Sequence, residues 1–432
     1  MDKHRDIRIE VPVLARVEGE GALELDIKNG EIADLKLRIF EPPRFFERFV
    51  EGYKPDDVID MVARICGICP VAYQMSAAQA FEQIFEVDVG PWVNKMRRVM
   101  YFGEWLQSHA LHIHLLAAPD FLGFPNGIAM AEKYPEEVRR GLMLQTLGND
   151  LIALFGARSV HPVGLRVGGF YHSPSYSEVA DILARLKVAL KEAESLVTWL
   201  DTLDLPKDEQ HFTNVALVHS DEYGMYCGRI QSDAGLDIDI SKWDEHFEEI
   251  HQPHSTALHA ELDGKPYLVG PLARINLNLV QLPDSTRKLA DNLGTKFPSQ
   301  NMFHSVLARA LELHMVVSQA ITFLEDYERP EQPWVDWQAK SGIGFGASEA
   351  PRGILWHHYE TDENGCVVSA RIVPPTSQNQ ARIEEDIAQS LESFGLGQSE
   401  DALRLRAETV IRNYDPCISC ATHFLKLKVI RS

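Results

Sequence analysis

At 432 residues, with 45% hydrophobic and 24% charged side chains, the chain has the composition of a soluble globular protein that can bury a large core. Its formal net charge of -21 excludes nucleic acid as a partner, because no basic patch stands out against that background. Six cysteines in so long a chain form no disulfide framework and suit a reducing compartment with metal-bound thiols.

Residues 7–40 read as strands. Ile7–Val11 and Ala22–Ile27 alternate in polarity, Lys28-Asn29-Gly30-Glu31 has turn composition, and Ile32–Phe40 alternates again. This predicts a small antiparallel sheet. Helical patterning begins near Pro55, with Asp56 or Asp57 expected to cap a helix running to Ala63. Ser76–Phe85, Trp92–Ala117, Pro135–Val160, Ser177–Leu203 and Met302–Tyr327 carry apolar residues at helical spacing, as in a bundle. Residues 206–300 lack long periodicity and read as an irregular insertion. Leu355–Val373 reads as a hairpin turning at Asp362–Gly365, and two short helices near Arg382–Phe394 and Asp401–Asn413 follow. The expected fold is mainly α with a small α+β part. It forms a single unit of an N-terminal sheet segment (1–54), a helical bundle (55–205), the insertion (206–300) and a C-terminal part with a β-hairpin (301–432).

The N-terminal residues contain no apolar signal segment, and the longest apolar runs are broken by charge or histidine before a membrane-spanning length. A cytoplasmic protein with no direct membrane insertion is expected.

Four of the six cysteines form two Cys-x-x-Cys turns, Cys66/Cys69 and Cys417/Cys420, roughly 350 residues apart. Each turn presents two sulfurs about one metal diameter apart, so together they can supply four thiolates if the fold joins its ends. Spacing alone leaves three readings: a structural zinc site, thioredoxin-like redox pairs, or a site for a redox metal such as nickel or iron.

The flanking residues separate these readings. Arg64-x-Cys66-Gly67-x-Cys69 and Asp415-Pro416-Cys417-x-x-Cys420-x-x-His423, with Arg16-Val17-Glu18-Gly19 near the start and Ser108-His109-Ala110-Leu111-His112 and Glu349-Ala350-Pro351-Arg352-Gly353 between the two cysteine motifs, resemble the large subunit of nickel-iron hydrogenases over nearly the whole chain. The resemblance implies that family's large-subunit fold and reversible conversion of dihydrogen to protons and electrons, for which thiolates are the soft ligands a redox metal needs. It implies that Cys66 and Cys417 are terminal ligands to nickel, and that Cys69 and Cys420 bridge nickel to an iron carrying carbon monoxide and cyanide. Glu18 would relay protons from the nickel-side cysteine. Arg352 would stand over the open position between the metals, with Asp120 as its partner carboxylate and Asp415 and Pro351 completing that surround. Thr376 would hydrogen-bond a cyanide. Glu47, His423 and the backbone near Ile372 would hold a second metal, magnesium or iron. His109, His112 and His114 are expected to make hydrogen bonds in the core, and His161 and Gly168-Gly169-Phe170 to be structural.

Two features depart from the family pattern. Tyr73 stands where many members have a histidine, and a tail of residues 424–432 follows His423. Tyr73 and the short chain resemble the cytoplasmic bidirectional branch, linked to NAD(P) or sulfur. No Gly-x-Gly-x-x-Gly and no further cysteine cluster is present, so electrons are expected to leave through an iron-sulfur small subunit, with diaphorase-type flavin and NAD(P) subunits beyond it. The rivals are a hydrogenase with a deazaflavin or viologen-type acceptor, and a noncatalytic scaffold like the quinone-site subunit of respiratory complex I. The second is disfavoured by the intact thiolate set.

Overall fold

A computed structural model describes residues 6–422. The N-terminal strands Ile7–Val11, Gly21–Lys28 and Glu31–Ile39 form an antiparallel sheet in sequence order, with Ile7 opposite Ile27 and Val11 opposite Leu23. Alternation puts Ile7, Ile9, Val11, Leu23, Leu25 and Ile27 on one buried face. Asn29 and Gly30, both at positive φ, make the connecting turn. That face packs on Ile383, Ile387, Leu391, Leu403 and Ile411 of the Pro375–Phe394 and Glu400–Tyr414 helices. The start of the chain is therefore a layer on its end, which brings the two cysteine turns together.

Five long helices, Pro70–Phe85, Gly90–Leu111, Pro135–Gly156, Tyr176–Leu200 and Ser305–Glu325, form the main core. A Ser175/Glu178 capping box starts the fourth. The second runs on into a π-helical segment, His112–Ala117, which ends beside Pro119, a residue with no amide to donate. Met302–Glu325 is, among the described residues, the one helix long and apolar enough to cross a membrane, but 72% of its apolar window is buried inside the protein. It also carries buried Arg309, Glu312 and His314.

Three expectations need correction. The Pro55–Val62 helix starts on its proline with no side-chain cap, and Asp56 instead accepts the amide of Val167 at 2.8 Å. The segment 206–300 is not irregular. It holds a sheet of Val215–Val218, Arg229–Ser232 and Asp237–Ile238, a pair of Phe247–His251 and Leu258–Leu262, and the helices Pro271–Asn278 and Asp284–Asn292. Strands this short carry too few alternations to register against the turns between them. The C-terminal hairpin, Gly353–Thr361 with Val367–Val373, is part of a three-stranded sheet whose first strand is Gly342–Ala350. That strand is glycine-rich because it lies on the Pro70–Phe85 helix: a Cβ at Gly346 would come within 1.9 Å of the Ser76 carbonyl oxygen.

Candidate metal centre

The four cysteines converge as the two ends of the chain meet. Cys66 Sγ lies 3.4 Å from Cys417 Sγ, Cys69 Sγ 3.5 Å from Cys420 Sγ, and Cys417 Sγ 2.8 Å from Cys420 Sγ. All four sulfurs fall within 4.8 Å of one another, and each residue is at most 2% exposed. Cys66 follows a 3-10 turn and Cys69 precedes the Pro70–Phe85 helix, so the amides of Ile68 and Cys69 point at Cys66 Sγ, at 3.3 and 3.2 Å. Arg44 clamps both halves, donating to the carbonyls of Ile65 (2.6 Å) and Ser419.

Burial pushes the Cys69 and Cys417 thiols well up. Cys66 is held well below the ordinary thiol value: burial opposes this, but hydrogen bonds from Cys417, Cys420 and Cys69, and the charge of Arg352, outweigh it. Without a metal the four sulfurs therefore share protons. A buried cation can replace those protons and hold all four as thiolates.

Glu18 enters through the sheet layer. It forms a parallel bridge with Cys417, its carbonyl accepts the Ile418 amide at 3.0 Å, and its Oε2 lies 3.1 Å from both Cys417 Sγ and the Ser419 amide. Gly19 makes this approach possible: at φ +89, a Cβ there would come within 2.6 Å of Ile418 Cβ. Thr376, in the first turn of the Pro375–Phe394 helix, accepts the Cys417 amide at 3.0 Å, which leaves its hydroxyl hydrogen free to donate.

Arg352, 3% exposed, donates from Nε to the Asp415 carbonyl at 2.6 Å and from Nη2 to Asp415 Oδ1 at 2.9 Å. Its Nη1 is buried without a hydrogen-bond partner. Burial works against the Asp415 charge, but Arg352, His112 and Arg309 outweigh it and keep the carboxylate below its usual range. The expected pairing of Arg352 with Asp120 is not found. Asp120 accepts from Arg412 Nε at 2.6 Å and from Arg16, tying the N-terminal loop to the last long helix. The sequence placed Asp120 correctly after the histidine helix, but its partner is decided by tertiary packing. Pro351 contributes its carbonyl to Arg274 Nη2 at 3.1 Å.

At the second site, Glu47 Oε1 accepts the Ile372 amide at 2.8 Å, which brings that carboxylate and that peptide together. His423 and residues 424–432 lie outside the described residues. Tyr73 is 1% exposed beside the cysteines, and burial, then Cys420, Cys69 and Cys66, push its phenol well up, so it is a neutral O–H. His109 bonds Glu312 at 2.9 Å, His112 the Arg412 carbonyl at 2.8 Å and His114 the Ala110 carbonyl at 2.9 Å. Burial holds His109 near pKa 4, and His112 and His114 near 3, so these rings are neutral hydrogen-bonding groups of the core.

Sequence reasoning missed the buried titratable side chains around this centre. Glu104, fully buried, accepts the Val71 amide at 2.6 Å just after Cys69. Arg274 lies 4.2 Å over the Trp105 ring and pairs with Glu312 at 2.7 Å and Glu349 at 3.1 Å. Isolated charges on helices read as surface groups, and only Glu349 fell within a motif.

The four-cysteine set, with the unpartnered Nη1 of Arg352 near it, fits a buried nickel-iron centre. Comparisons with known proteins agree. The family described as nickel-dependent hydrogenase matches residues 44–139 and 240–423. The chain is 33% identical to the sulfhydrogenase 2 alpha subunit of Pyrococcus furiosus over 97% of this chain and all of that one. It is 29% identical to the beta subunit of the NAD-reducing hydrogenase HoxS of Cupriavidus necator, over 97% and 95%. A crystal structure of an NAD+-reducing NiFe hydrogenase in the H2-reduced state superposes with a TM-score of 0.88 at 28% identity, covering 96% of this chain and 99% of that one. The sulfur cluster, its carboxylate and arginine, and these matches together establish that the chain belongs to the nickel-dependent hydrogenase family, as the catalytic large subunit of a nickel-iron hydrogenase.

Proposed function

We propose that this subunit oxidises dihydrogen reversibly, and that the thiolates of Cys66, Cys69, Cys417 and Cys420 would hold a nickel-iron centre whose iron would carry carbon monoxide and cyanide. The observation that carries this reading is a part-buried carboxylate at the cysteine cluster: Glu18 Oε2 lies 3.1 Å from Cys417 Sγ. When bound, the centre supplies a soft site at which dihydrogen is polarised and its electron pair is taken up. The surrounding residues handle what remains.

Cleavage of dihydrogen releases two protons and two electrons. Cys417 Sγ takes a proton and passes it across 3.1 Å to Glu18 Oε2, which releases it outward. Arg352, fixed through Asp415, keeps Nη1 buried and without a partner and holds positive charge beside the cysteines, where it would stabilise developing negative charge. Thr376 and Arg352 are suited to donate to the iron's diatomic ligands. Glu47 and the Ile372 peptide, which are in contact, would hold magnesium or iron together with His423.

The electrons pass to an iron-sulfur small subunit and then to NAD(P) or sulfur through diaphorase-type subunits. Support comes from relatives named sulfhydrogenase and NAD-reducing hydrogenase that match over nearly the whole chain. The test is hydrogen uptake by the anaerobically purified complex with NAD+, NADP+ and polysulfide in turn. Reduction of any of these with hydrogen is expected. Activity with viologen or a deazaflavin alone would assign a different acceptor.

A further inference from the structure

Away from the cysteines, three potential ligands meet where three elements cross. His254 lies in the loop between the Phe247–His251 and Leu258–Leu262 strands, His259 on the second strand, and Glu384 on the Pro375–Phe394 helix. A ring nitrogen of each histidine and a carboxylate oxygen of Glu384 lie within 4.8 Å of one another. His254 Nε2 is 2.9 Å from Glu384 Oε1, and the two imidazoles stand edge to face with centroids 5.7 Å apart.

A simple buried ion pair leaves part of this unexplained. His259 is 2% exposed, yet its buried Nε2 has no hydrogen-bond partner. A buried polar atom left unpaired costs about 1 to 3 kcal/mol, a cost that a ligand at this position would remove. Burial also lowers the His259 pKa to about 4, so the ring is neutral and its lone pair is available. The arrangement is held in advance. The amide and hydroxyl of Thr256 bind the Ile39 carbonyl at 2.8 and 3.0 Å, fixing the loop that presents His254, and Glu384 Oε1 accepts the Leu37 amide at 2.8 Å. His254 and Glu384 side chains are 17% and 19% exposed, which leaves a route from solvent.

The geometry points to a divalent transition-metal site, of zinc class, formed by His254, His259 and Glu384 and separate from the nickel-iron centre. Two imidazoles and a carboxylate are a ligand set that zinc takes with water in the fourth position, at about 2.0 to 2.2 Å per ligand. Tetrahedral ligands at that distance stand roughly 3.4 Å apart, so His254 and Glu384 must part slightly from 2.9 Å to admit the metal. The cluster His219, Glu222 and Cys227 is weaker, because Arg98 already sits 2.5 Å from Glu222 as its cation. The consequence is mechanical. The metal would pin the strand pair to the helix whose first turn presents Thr376 to the Cys417 amide.

The test uses the assembled enzyme, stripped with a chelator that leaves nickel in place, then exposed to zinc and dialysed. The expected result is zinc retained in proportion to the protein, with a zinc-edge X-ray absorption spectrum showing nitrogen and oxygen neighbours and no sulfur. His259→Leu, which removes the unpartnered nitrogen, should lose that zinc while nickel and iron stay unchanged. Zinc should raise the thermal midpoint of the native complex and leave that of the variant where it was. If His259→Leu fails to assemble, Glu384→Gln, which keeps an acceptor for Leu37, provides the same comparison. No retained zinc, zinc with sulfur neighbours, or equal retention by the variant would overturn the site. Absent nickel would instead count against the hydrogenase reading, so the two failures are distinguishable.

Discussion

The Glu18 carboxylate and the Cys417 sulfur are held 3.1 Å apart by backbone pairing between their own segments, Ile418 donating to the Glu18 carbonyl. The acceptor is therefore fixed by main-chain pairing to the segment that carries the thiolate and does not depend on a flexible reach. Glu18→Gln keeps the shape and removes the base. Hydrogen-deuterium exchange should fall by roughly a hundredfold or more, the scale of a lost general acid/base, while nickel and iron contents stay at native levels. Normal exchange in that variant would remove Glu18 from the proton route.

Arg352 is placed by a two-point contact with Asp415, one bond to the carbonyl and one to the carboxylate. Lysine cannot form that fork. Arg352→Lys should keep the metals and lower hydrogen oxidation by about a hundredfold or more, comparable with removal of one preorganised donor. Turnover against metal content is the comparison to make.

Asp120 has a different job. It neutralises Arg412 and Arg16, both largely buried, at the joint between the two ends of the chain. Asp120→Asn should destabilise the subunit by about 3 to 5 kcal/mol, the cost of leaving buried charge unpaired. Activity per nickel should change far less than in Arg352→Lys. Thermal denaturation alongside specific activity separates the two roles.

Glu312 and Glu349 flank Arg274 and carry opposite pH dependence. Burial opposes the Glu312 charge, but Arg274 and His109 outweigh it and lower the pKa from 4.5 to about 2. Its stabilisation is present above pH 4.5 and lost as pH falls through about 2. Burial raises Glu349 from 4.5 to about 7, so its contribution is present below 4.5 and lost as pH rises through about 7. Glu349→Gln should flatten the decline in thermal midpoint between those two values, and Glu312→Gln should flatten the acid limb. An unchanged profile in both would show that neither carboxylate titrates on folding.

Much of this was legible in residue order. The two cysteine turns, Glu18 and Arg352 sit in local motifs, and long amphipathic helices announce themselves by period. What was not legible depends on contacts between distant segments. Gly342–Ala350 carries no clear strand pattern because its glycines answer to the helix beneath it. Asp120 could be located but not paired, since Arg16 and Arg412 reach it only after folding. Glu104, Arg274 and Glu312 look like surface charges until the core closes around them. The cluster of His254, His259 and Glu384 joins a loop, a strand and a helix that share no motif.

The most direct measurement is nickel-edge X-ray absorption, with nickel and iron analysis, on the anaerobically purified complex and on Cys66→Ser. The account predicts nickel bound in proportion to the chain with sulfur neighbours, accompanied by iron, and nickel lost from the variant. Nickel with only nitrogen or oxygen neighbours, or retained in full without Cys66, would contradict a four-thiolate centre.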